Sequence, residues 1–425
     1  MNAASLAHVL AEGKLTGVAF LDEPGVKRVF SALDVNDEET RIIGGAIRNV
    51  LLGAAVHEVD FATTATPDDI IRHAKAAGLR FAPTGYEHGT VTLLVDGKPF
   101  EVTTLREDVE TDGRRAKVRF GRSFEQDALR RDFTINALSV TSDGRLFDYT
   151  NALADIQARR VRFIGEARQR IREDYLRSLR FFRFHAAYGA GIMDAEAFAA
   201  IIAERAGLET LSRERIRAEL LKLLIAERAS EVVADMAGAG LLQSLLAGIT
   251  QPTRLARIVE IEAAHGVGPD AVLRLIALCV MTSDDAARLR DRMRLSNAET
   301  MRAEHAALAY ARLHGRLTPP QPRELYTFLY ERGRAAACDA LSLAHAESPA
   351  APNDPEWISA WRFLRDTPEP RLPFTGADLI ARGLPSGREM GQTLKKLQAL
   401  WIRAGFPTDP SVLARLIDEA LQARK

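Results

Sequence analysis

Hydrophobic and polar residues alternate in short runs over the first 150 positions, and turn residues interrupt these runs. Residues on one face of a β-strand recur at every second position, so such runs predict strands. The predicted strands are Thr40–Ile43, Val59–Thr63, Gly89–Val95 and Pro99–Thr104. Asp96-Gly97 separates the last two runs and is a strong signal for a hairpin turn. This part of the chain is therefore predicted to be a small domain built on a mixed sheet.

From about residue 151 onward the apolar positions follow helical spacing, and few runs have the pattern of strands. Proline-rich breaks at 317–322, 347–352 and 367–370 divide the helical blocks of the last third. A chain of 425 residues is too long for one compact core, so we expect roughly two to four domains. The pattern predicts an α+β protein, with a small head followed by a long all-helical region.

Composition narrows the class of protein. The chain has 57 basic and 57 acidic residues, so a polyanionic partner would have to bind a local basic patch. Cys279 and Cys338 lie in helical contexts rich in alanine and leucine, which predicts reduced core thiols rather than a disulfide or metal site. No apolar run is long enough to span a membrane, and residues 1–17 lack the features of a signal peptide. We therefore expect a cytoplasmic protein.

A double-glycine turn followed by two carboxylates is the strongest candidate for chemistry. Gly44 and Gly45 follow the first predicted strand and begin a helix that contains Arg48. Glycines let backbone N–H groups approach a triphosphate, and a helix N-terminus adds partial positive charge. Glu58 and Asp60 stand two positions apart on a predicted strand and should point the same way. A lone Glu-x-Asp is typical of a solvated strand edge, but after this turn it indicates Mg²⁺-dependent nucleotidyl transfer.

Three further features could complete such a site. Glu101 lies on the second arm of the hairpin and could act as a general base or metal ligand, a plain cross-strand charge being the alternative. Residues 107–121 are rich in charge and glycine and are predicted to form a mobile loop. Arg131 and Asp132 precede another predicted strand and could bind a phosphate and a ribose hydroxyl. By itself, such a pair is more often a structural salt bridge.

An arginine-rich helix is predicted over residues 168–184. Between positions 157 and 183 there are nine arginines and three acidic residues, which makes this segment the obvious patch for phosphates. Asp174, Arg177, Arg180 and Arg183 recur at every third position, so they are predicted to share one helix face. A solvated arginine face is the alternative.

With these segments in this order, the chain resembles the class II tRNA nucleotidyltransferases, which include the CCA-adding enzymes and the bacterial poly(A) polymerases. The resemblance spans roughly residues 20–225 and depends on six motifs: Gly44–Arg48, Glu58–Asp60, Pro83–Thr90, Arg130–Asn136, Glu173–Arg177 and Ser212–Lys222. It implies a polymerase-β-like nucleotidyltransferase head at 1–150 and then a helical neck at 151–225. A helical body at 226–315 and a helical tail at 316–425 would follow, where the match is loose.

The resemblance implies roles for the glycine turn and for the strand after it. Gly44, Gly45 and Arg48 would bind the triphosphate, while Glu58 and Asp60 would bind Mg²⁺. The family usually has aspartate at position 58, so this metal ligand is one methylene longer. The residue after Arg48 is asparagine where the family usually has aspartate, which removes a local ion pair rather than a catalytic group.

The remaining residues of the motifs are assigned by the resemblance to the incoming nucleotide. Those that would contact its phosphates and sugar are Arg131, Asp132, Arg180 and Arg183. Asp174 and Arg177 would recognise its base. Cytosine and adenine both present an amino donor beside a ring-nitrogen acceptor, which a carboxylate and a guanidinium can match. Uracil and guanine place a carbonyl oxygen there and would leave Asp174 facing an acceptor.

These features predict a template-independent nucleotidyltransferase that adds or repairs the 3′-terminal CCA of tRNA from CTP and ATP. A poly(A) polymerase is the first alternative, but residues 78–85 lack the basic segment usual in those relatives. A CC- or A-adding enzyme is the second; a CC-adding enzyme typically lacks the loop that residues 107–121 provide. A non-catalytic RNA-binding protein is the third, and the retained carboxylates argue against it. No histidine is followed by aspartate, so no HD-type phosphohydrolase domain is expected.

The C-terminal segment 374–396 predicts a helix, a glycine turn and a second helix. The N–H groups of the turn and the start of the next helix could hold an RNA phosphate, with Arg388, Lys395 and Lys396 nearby. A helical hairpin packed on its neighbour is the alternative. The sequence indicates neither a protein partner nor a membrane.

Overall fold

The computed structural model describes residue 9, residues 12–109 and residues 117–422. The chain divides into two compact units, Met1–Asp235 and Met236–Lys425. None of the helices in the described ranges has both the length and the hydrophobicity that crossing a membrane requires.

The strands described all lie in the first unit: β1 (Thr40–Ile43), β2 (Asp60–Thr63), β3 (Arg80–Gly85), β4 (Thr90–Val95), β5 (Lys98–Thr104), β6 (Arg106–Val109), β7 (Lys117–Phe120), β8 (Ser139–Val140) and β9 (Leu146–Phe147). Seven of them form a mixed sheet in the order β3-β4-β5-β2-β1-β8-β9, and β6 pairs with β7 as a separate ribbon. β2 is antiparallel to β1 and parallel to β5. The end of β1 and the start of β2 therefore lie at the same edge of the sheet.

The helices of the first unit are α1 (Ala19–Asp22), α2 (Pro24–Leu33), α3 (Gly45–Leu52), α4 (Pro67–Ala76), α5 (Phe124–Leu129), α6 (Ala152–Gln157), α7 (Ala167–Glu173), α8 (Leu176–Tyr188), α9 (Ala195–Ala203), α10 (Arg213–Leu224) and α11 (Ala229–Gly238), the last of which runs past the division. α2 and α4 pack against each other and against the sheet. The ring of Phe61 on β2 lies 5.2 Å from that of Phe30 and 6.1 Å from that of Phe100. This aromatic core fixes β2, and with it the sheet edge that carries Asp60.

The described residues of the second unit form helices joined by turns and loops. The helices are α12 (Leu241–Leu246), α13 (Pro252–His265), α14 (Ala271–Cys279), α15 (Ser283–Met293), α16 (Asn297–Tyr310), α17 (Pro322–Arg332), α18 (Arg334–Glu347), α19 (Pro355–Asp366), α20 (Gly376–Ile380), α21 (Arg388–Arg403) and α22 (Pro410–Gln422). Thr282 and Ser296 each form a capping box, which explains where α15 and α16 begin. Tyr310 and Trp357 are among its fully buried side chains. Near the C-terminus, Trp401 belongs to a second apolar cluster.

The α+β class predicted from the hydrophobic pattern is confirmed. The four strands predicted from alternation agree with the observed bounds to within one residue at each end. β4 and β5 form the predicted hairpin, with φ of 51° at Asp96 and 82° at Gly97, the positive values that its turn type requires. Both cysteines are free, as expected. The separation of the helical region into neck, body and tail stays a prediction.

The segment that was predicted to be a mobile loop is partly ordered. β6 and β7 pair antiparallel, from Arg106 opposite Phe120 to Val109 opposite Lys117. The prediction failed there because Arg106–Val109 has only one apolar residue, and Lys117–Phe120, although it alternates, is only four residues long and follows a charged segment. The Gly-Arg-Arg core of this segment, residues 113–115, lies outside the described residues.

Candidate active site

A cleft of about 680 Å³ in the first unit brings together residues that are far apart in the sequence. All twelve head and neck residues predicted for the site line it: Gly44, Gly45, Arg48, Glu58, Asp60, Glu101, Arg131, Asp132, Asp174, Arg177, Arg180 and Arg183. The fold therefore collects the predicted glycines, carboxylates and arginines on one concave surface.

The double-glycine turn forms part of the wall of this cleft. β1 ends at Ile43, and Gly44 turns the chain with a φ of 68°, a conformation that side chains rarely adopt. A Cβ at Gly44 would also lie 3.4 Å from the guanidinium of Arg131. α3 begins at Gly45, so the partial positive charge of its N-terminus lies at the cleft wall. The turn is suited to the close approach of an anion.

Arg48 is buried on the first turns of α3. Its guanidinium donates to the side-chain oxygens of Asn136 and Asn49 and, at 2.9 Å, to the hydroxyl of Tyr188. The guanidinium carbon also lies 4.0 Å from the centroid of the Tyr188 ring. Burial lowers the pKa of Arg48, but an arginine stays protonated in proteins. Asn49 thus keeps a hydrogen bond to Arg48 without neutralising its charge.

The three carboxylates come from two neighbouring strands and the chain before one of them. Asp60 begins β2 and pairs with Ile43 of β1, beside the glycine turn. Glu101 lies on β5, the parallel neighbour of β2. Glu58 was predicted to lie on the same strand as Asp60, and this was wrong: β1 ends opposite Asp60, so no residue of β1 remains to pair with position 58. Glu58 is exposed and lines the cleft all the same.

Asp60 has the most perturbed electrostatics of the three carboxylates. Burial raises the pKa of Asp60 to about 6, repulsion from Glu101 and Glu58 adds to the shift, and attraction to Arg131 offsets part of it. Within the part of the chain that the structure describes, none of the three carboxylates forms a salt bridge. Acidic groups that crowd one another without cationic partners favour the binding of a divalent cation.

The carboxylates fit a metal that is bound jointly with a substrate. Among the described residues, no group of three or more histidine, cysteine, aspartate or glutamate side chains is arranged to hold a metal ion by itself. Mg²⁺ usually takes only one or two carboxylates and fills its shell with waters and substrate phosphates. Glu58 and Asp60 supply two such carboxylates beside the glycine turn.

Arg131 and Asp132 follow α5, and each is held by a neighbour. Arg131 pairs with Asp127 at 2.9 Å and donates to the backbone oxygen of Asn136 at 3.3 Å. The Nε of Arg180 donates to Asp132 at 2.7 Å. Both side chains thus have a structural partner and a surface on the cleft.

The strand predicted after Asp132 is instead a 3₁₀ turn, Thr134–Asn136. The other carboxylate oxygen of Asp132 accepts from the backbone N–H of Phe133 at 2.9 Å and from the side chain of Asn136 at 3.2 Å. Aspartate commonly bonds to nearby backbone and side-chain donors in this way and competes with strand pairing. The apolar run Phe133–Ile135 is buried in the turn.

Asp174 was predicted to share a helix face with Arg177, and this was wrong. α7 ends at Glu173 and α8 begins at Leu176, so Asp174 lies in the extended link between them, with φ −156° and ψ 105°. Its Oδ1 accepts from the Leu176 N–H at 3.1 Å and satisfies a donor of the first turn of α8. Its Oδ2 accepts from Arg215 of α10 at 2.7 Å. Aspartate thus starts a new helix where the periodicity suggested a continuous one.

Arginines recur at every third residue of α8, as predicted. Each makes an ion pair: Arg177 with Glu173, Arg180 with Asp132, and Arg183 with Glu219. Because these partners come from three different segments, the arginines have fixed positions rather than forming a loose solvated face.

Five residues that orient the site received no role from the sequence: Asp127, Asn136, Tyr188, Arg215 and Glu219. Asn136, Arg215 and Glu219 lie within motifs that carried the resemblance, which was the available signal. Asp127 precedes Arg131 by four residues, a helical pairing distance. We find no sequence signal for Tyr188.

The tail candidates lie in the second unit. α20 and α21 are the two predicted helices, and the link between them contains Gly383 and Gly387, both of which have positive φ. Arg388, Lys395 and Lys396 are exposed on α21. That these three residues contact RNA stays a prediction.

Comparison with known proteins identifies the family. The model of the poly A polymerase head domain matches residues 40–162, and that of the probable RNA- and SrmB-binding site of polymerase A matches residues 192–251. CCA tRNA nucleotidyltransferase 1, mitochondrial, of Mus musculus is 33% identical over 405 residues, which cover 92% of this chain and 89% of that protein. The chain belongs to the CCA-adding tRNA nucleotidyltransferase family.

Bacterial members of the CCA-adding family match equally fully. The CCA-adding enzyme of Levilactobacillus brevis is 30% identical over 92% of this chain and 96% of that protein. The solved structure of the Bacillus stearothermophilus CCA-adding enzyme in complex with CTP is 26% identical, with a TM-score of 0.72 over 94% of this chain and 99% of that one. The predicted family and fold are confirmed, and membership of the CCA-adding family makes this chain an enzyme.

Proposed function

We propose that this chain is a template-independent CTP/ATP:tRNA nucleotidyltransferase that adds or repairs the 3′-terminal CCA of tRNA. One observation carries the proposal: a single cleft holds three carboxylates beside a glycine turn and a row of arginines. The relatives that match most of the chain are named as CCA-adding enzymes or CCA tRNA nucleotidyltransferases. Their names favour CCA addition over polyadenylation, and the carboxylates favour catalysis over RNA binding alone.

We propose Mg²⁺ as the metal that binds Glu58 and Asp60. When bound, it would neutralise charge that develops on the transferred phosphoryl group. Burial raises the pKa of Asp60, and repulsion from Glu101 and Glu58 adds to the shift; this repulsion supports the role, because a divalent cation would relieve it. Glu58 lies before β2, and its side chain is one methylene longer than the aspartate usual in the family.

Glu101 is the proposed general base. It is exposed on β5, at the cleft surface and within electrostatic range of Asp60. In the reaction, the 3′-oxygen of the tRNA forms a bond to the α-phosphorus of the nucleotide, and pyrophosphate leaves. Glu101 would accept the proton that the 3′-hydroxyl loses.

The glycine turn and the arginines are proposed to hold the nucleotide. The N–H groups at Gly44 and Gly45, together with the charge of Arg48, would bind the triphosphate. Arg131 and Asp132 would contact phosphate and sugar. These groups differ in that Arg48 is buried and fixed, whereas Arg131 is partly exposed to the cleft.

Four further residues at the cleft have proposed contacts with the base or the phosphates: Asp174, Arg177, Arg180 and Arg183. Asp174 and Arg177 would recognise the base although each already has a partner, Arg215 and Glu173 respectively. A carboxylate has about four acceptor positions and a guanidinium about five donors, so each can keep its partner while it binds a base edge.

The remaining expectations concern RNA and location. Arg388, Lys395 and Lys396 are proposed to contact the tRNA backbone, because all are exposed and basic on one helix. A cytoplasmic location stays a prediction, since the relatives include bacterial proteins and proteins named as mitochondrial.

Nucleotide uptake tests the function directly. The protein is incubated with Mg²⁺ and a tRNA that lacks its CCA end, and CTP and ATP are supplied separately and together. We expect CTP alone to add only the cytidines, ATP alone to add nothing, and both together to stop at CCA. A tRNA with an intact CCA end is the matched control and should gain nothing.

Two outcomes of this assay would contradict the proposal. A long adenosine tail would identify a poly(A) polymerase, and addition that stops after CC or requires a preformed CC end would identify a partial enzyme.

A further inference from the structure

Arg48 is buried at the wall of the head cleft without an acidic partner. Its side chain is 6% exposed, and its guanidinium lies beside the glycine turn, since a Cβ at Gly45 would lie 3.5 Å from Nη2. Among the residues that the structure describes, Arg48 forms no ion pair, whereas the three cleft arginines of α8 each pair with a carboxylate. A buried charge without an ionic partner is costly, so other groups must stabilise it.

Neutral oxygens surround this guanidinium. Nε and Nη2 donate to the side-chain oxygen of Asn49 at 3.2 and 2.8 Å, and Nη1 donates to that of Asn136. Nη2 also donates to the hydroxyl of Tyr188 at 2.9 Å. A guanidinium has five N–H groups, so these four bonds leave one N–H of Nη1 unused. The neutral oxygens satisfy buried donors of Arg48 and leave its net charge in place.

Two aromatic rings of α8 face the same guanidinium. Its carbon lies 4.0 Å from the centroid of the Tyr188 ring and 5.2 Å from that of the Phe184 ring, and the two rings are stacked with centroids 5.8 Å apart. A cation is attracted to an aromatic face, most strongly where water is excluded. Tyr188 thus contacts Arg48 through both its hydroxyl and its ring. Because Tyr188 does not line the cleft, it would act on a ligand through Arg48.

A second buried arginine of the head offers a comparison. Arg41 on β1 is also 6% exposed, donates to the hydroxyl of Tyr149 at 3.1 Å, and lies 3.6 Å from the centroid of the Phe147 ring. Arg41 also pairs with Glu39 at 2.7 Å, and it does not line the cleft. The two arginines therefore have the same kind of aromatic surroundings, but the one at the cleft lacks a carboxylate.

We propose that Tyr188 is a positioning residue for the triphosphate, which holds Arg48 in the place of an ionic partner. The hydroxyl fixes Nη2, and the ring supports the plane of the guanidinium. Because both groups are neutral, the charge of Arg48 stays available to an anion at the glycine turn. The proposal rests on the triphosphate role proposed for Arg48 above and adds the residue that keeps Arg48 in position.

Steady-state kinetics test the proposal, with KM for CTP measured on a tRNA lacking CCA and KM for ATP on a tRNA ending in CC. Tyr188→Leu removes the hydroxyl and the ring, and should raise both KM values about tenfold or more, because the two nucleotides share the triphosphate. Tyr188→Phe keeps the ring and should raise both about threefold. The ratio of kcat/KM for CTP to that for UTP should not change, since Asp174 and Arg177 are the residues proposed to recognise the base.

The matched control is Tyr149→Phe. It removes the corresponding hydrogen bond to the other buried arginine, Arg41, which lies outside the cleft. We expect this variant to keep the wild-type KM for both nucleotides.

A second substitution separates this role from packing. Asn49→Asp places a carboxylate where Asn49 already accepts from Arg48, and so supplies the missing ionic partner. In this background, Tyr188→Leu should raise KM by about threefold at most relative to Asn49→Asp alone. A packing role of Tyr188 would give the same increase in both backgrounds. Melting temperatures show which variants are folded, and if Tyr188→Leu does not fold, Tyr188→Phe replaces it in the same comparison.

The proposal is overturned if Tyr188→Leu leaves KM unchanged, or if its effect is the same with and without Asn49→Asp. Calorimetric binding of CTP in the absence of tRNA keeps this proposal apart from the proposed reaction. CMP incorporation by the wild type, together with equal CTP affinity of Tyr188→Leu, would contradict the positioning role alone. Weaker CTP binding by Tyr188→Leu, together with no incorporation by the wild type, would contradict the proposed reaction alone.

Discussion

The head cleft and the helical second unit differ in whether their buried acidic groups have cationic partners. In the second unit, Asp339 and Glu262 each have an arginine partner at 2.7 Å. In the cleft, burial raises the pKa of Asp60, and repulsion from Glu101 and Glu58 adds to the shift. Ion pairs fix the positions of the side chains that form them. Crowded groups of like charge lower the stability of the protein, and they are typical of sites where a ligand supplies the opposite charge.

The same contrast runs through the cleft itself. Three of its arginines resemble those of the second unit that pair with buried acids, because Arg177, Arg180 and Arg183 all have acidic partners. The carboxylates near the glycine turn, by contrast, form no ion pair among the described residues. At these unpaired carboxylates we therefore expect substitutions to reduce activity most without lowering stability.

The largest expected effect is on catalysis. Asp60→Ala should reduce incorporation of both CMP and AMP by about a thousandfold or more, because several kcal/mol of metal-dependent stabilisation would be lost. Binding of tRNA, measured by filter binding, should stay nearly intact. Glu58→Asp restores the ligand usual in the family and should stay active.

Near-normal turnover of the Asp60→Ala protein would refute the metal assignment. Complete inactivity of Glu58→Asp would instead mean that the longer side chain is required by the position of residue 58 ahead of β2.

Base choice should change by a smaller factor. Asp174→Ala, and Asp174→Asn with its shape retained, should each lose about one to two orders of magnitude of discrimination between CTP and UTP. The reason is that a carboxylate repels a carbonyl oxygen, whereas neither replacement does. Measuring kcat/KM for all four nucleotides checks this.

Asp174 also caps α8 and pairs with Arg215, so a structural effect must be separated from recognition. Arg215→Ala removes the ion pair but keeps the carboxylate and is the matched control. If both Asp174 variants slowed all four nucleotides equally, Asp174 would be a structural residue.

Stability should respond in opposite directions at Asp60 and Asp339. Asp60 titrates near pH 6 when folded and near pH 4 in an unfolded chain, so its contribution to stability is lost as pH rises between these values. In the absence of metal, Asp60→Asn should therefore raise the free energy of unfolding above pH 6 by about 1–2 kcal/mol, and this gain should vanish below pH 4. Burial raises the pKa of Asp339 to about 6 as well, but this carboxylate accepts two hydrogen bonds from Arg302. Asp339→Asn should therefore lower the free energy of unfolding, because it leaves the buried part of Arg302 with one charged partner fewer.

Denaturant titrations at pH 4 and pH 8 measure both effects, and added Mg²⁺ should reduce the gain from Asp60→Asn. A loss of stability in Asp60→Asn at pH 8 would mean that this carboxylate has a stabilising partner in the folded protein.

The smallest expected effect concerns RNA affinity. Replacing Lys395 and Lys396 together with alanine should reduce the slope of log affinity against log salt by about one or two units. The change tests whether the charge of α21 contacts phosphates. An unchanged slope would move the RNA site away from this helix.

The sheet and its hairpin could be predicted because short-range patterns determine them. The alternation in Gly89–Val95 and the Asp96-Gly97 turn specify neighbouring strands without information from elsewhere in the chain. The positions of the twelve cleft residues followed from motifs, and all twelve line one cleft. Their individual roles stay predictions.

Partners that come from distant segments could not be predicted. Nothing near Asp174 marks a break with proline or glycine, and helical periodicity assumes a continuous helix. The break exists because Asp174 bonds to Leu176 and to Arg215, and Arg215 is 41 residues away. Glu58 lies outside β2 because pairing depends on another segment too. β1 ends at Ile43, opposite Asp60, so no residue of β1 remains to pair with position 58.

The contact between Arg48 and Tyr188 has a consequence for cooperativity. Tyr188 ends the helix that carries Arg177 and Arg180, while Arg48 belongs to the helix that starts at the glycine turn. If a triphosphate binds at Arg48 as proposed and displaces it, this contact would carry the displacement to the C-terminal end of α8. Thermodynamic linkage makes the coupling reciprocal, so a correctly matched base should tighten the hold on the triphosphate to the extent that the triphosphate favours that base.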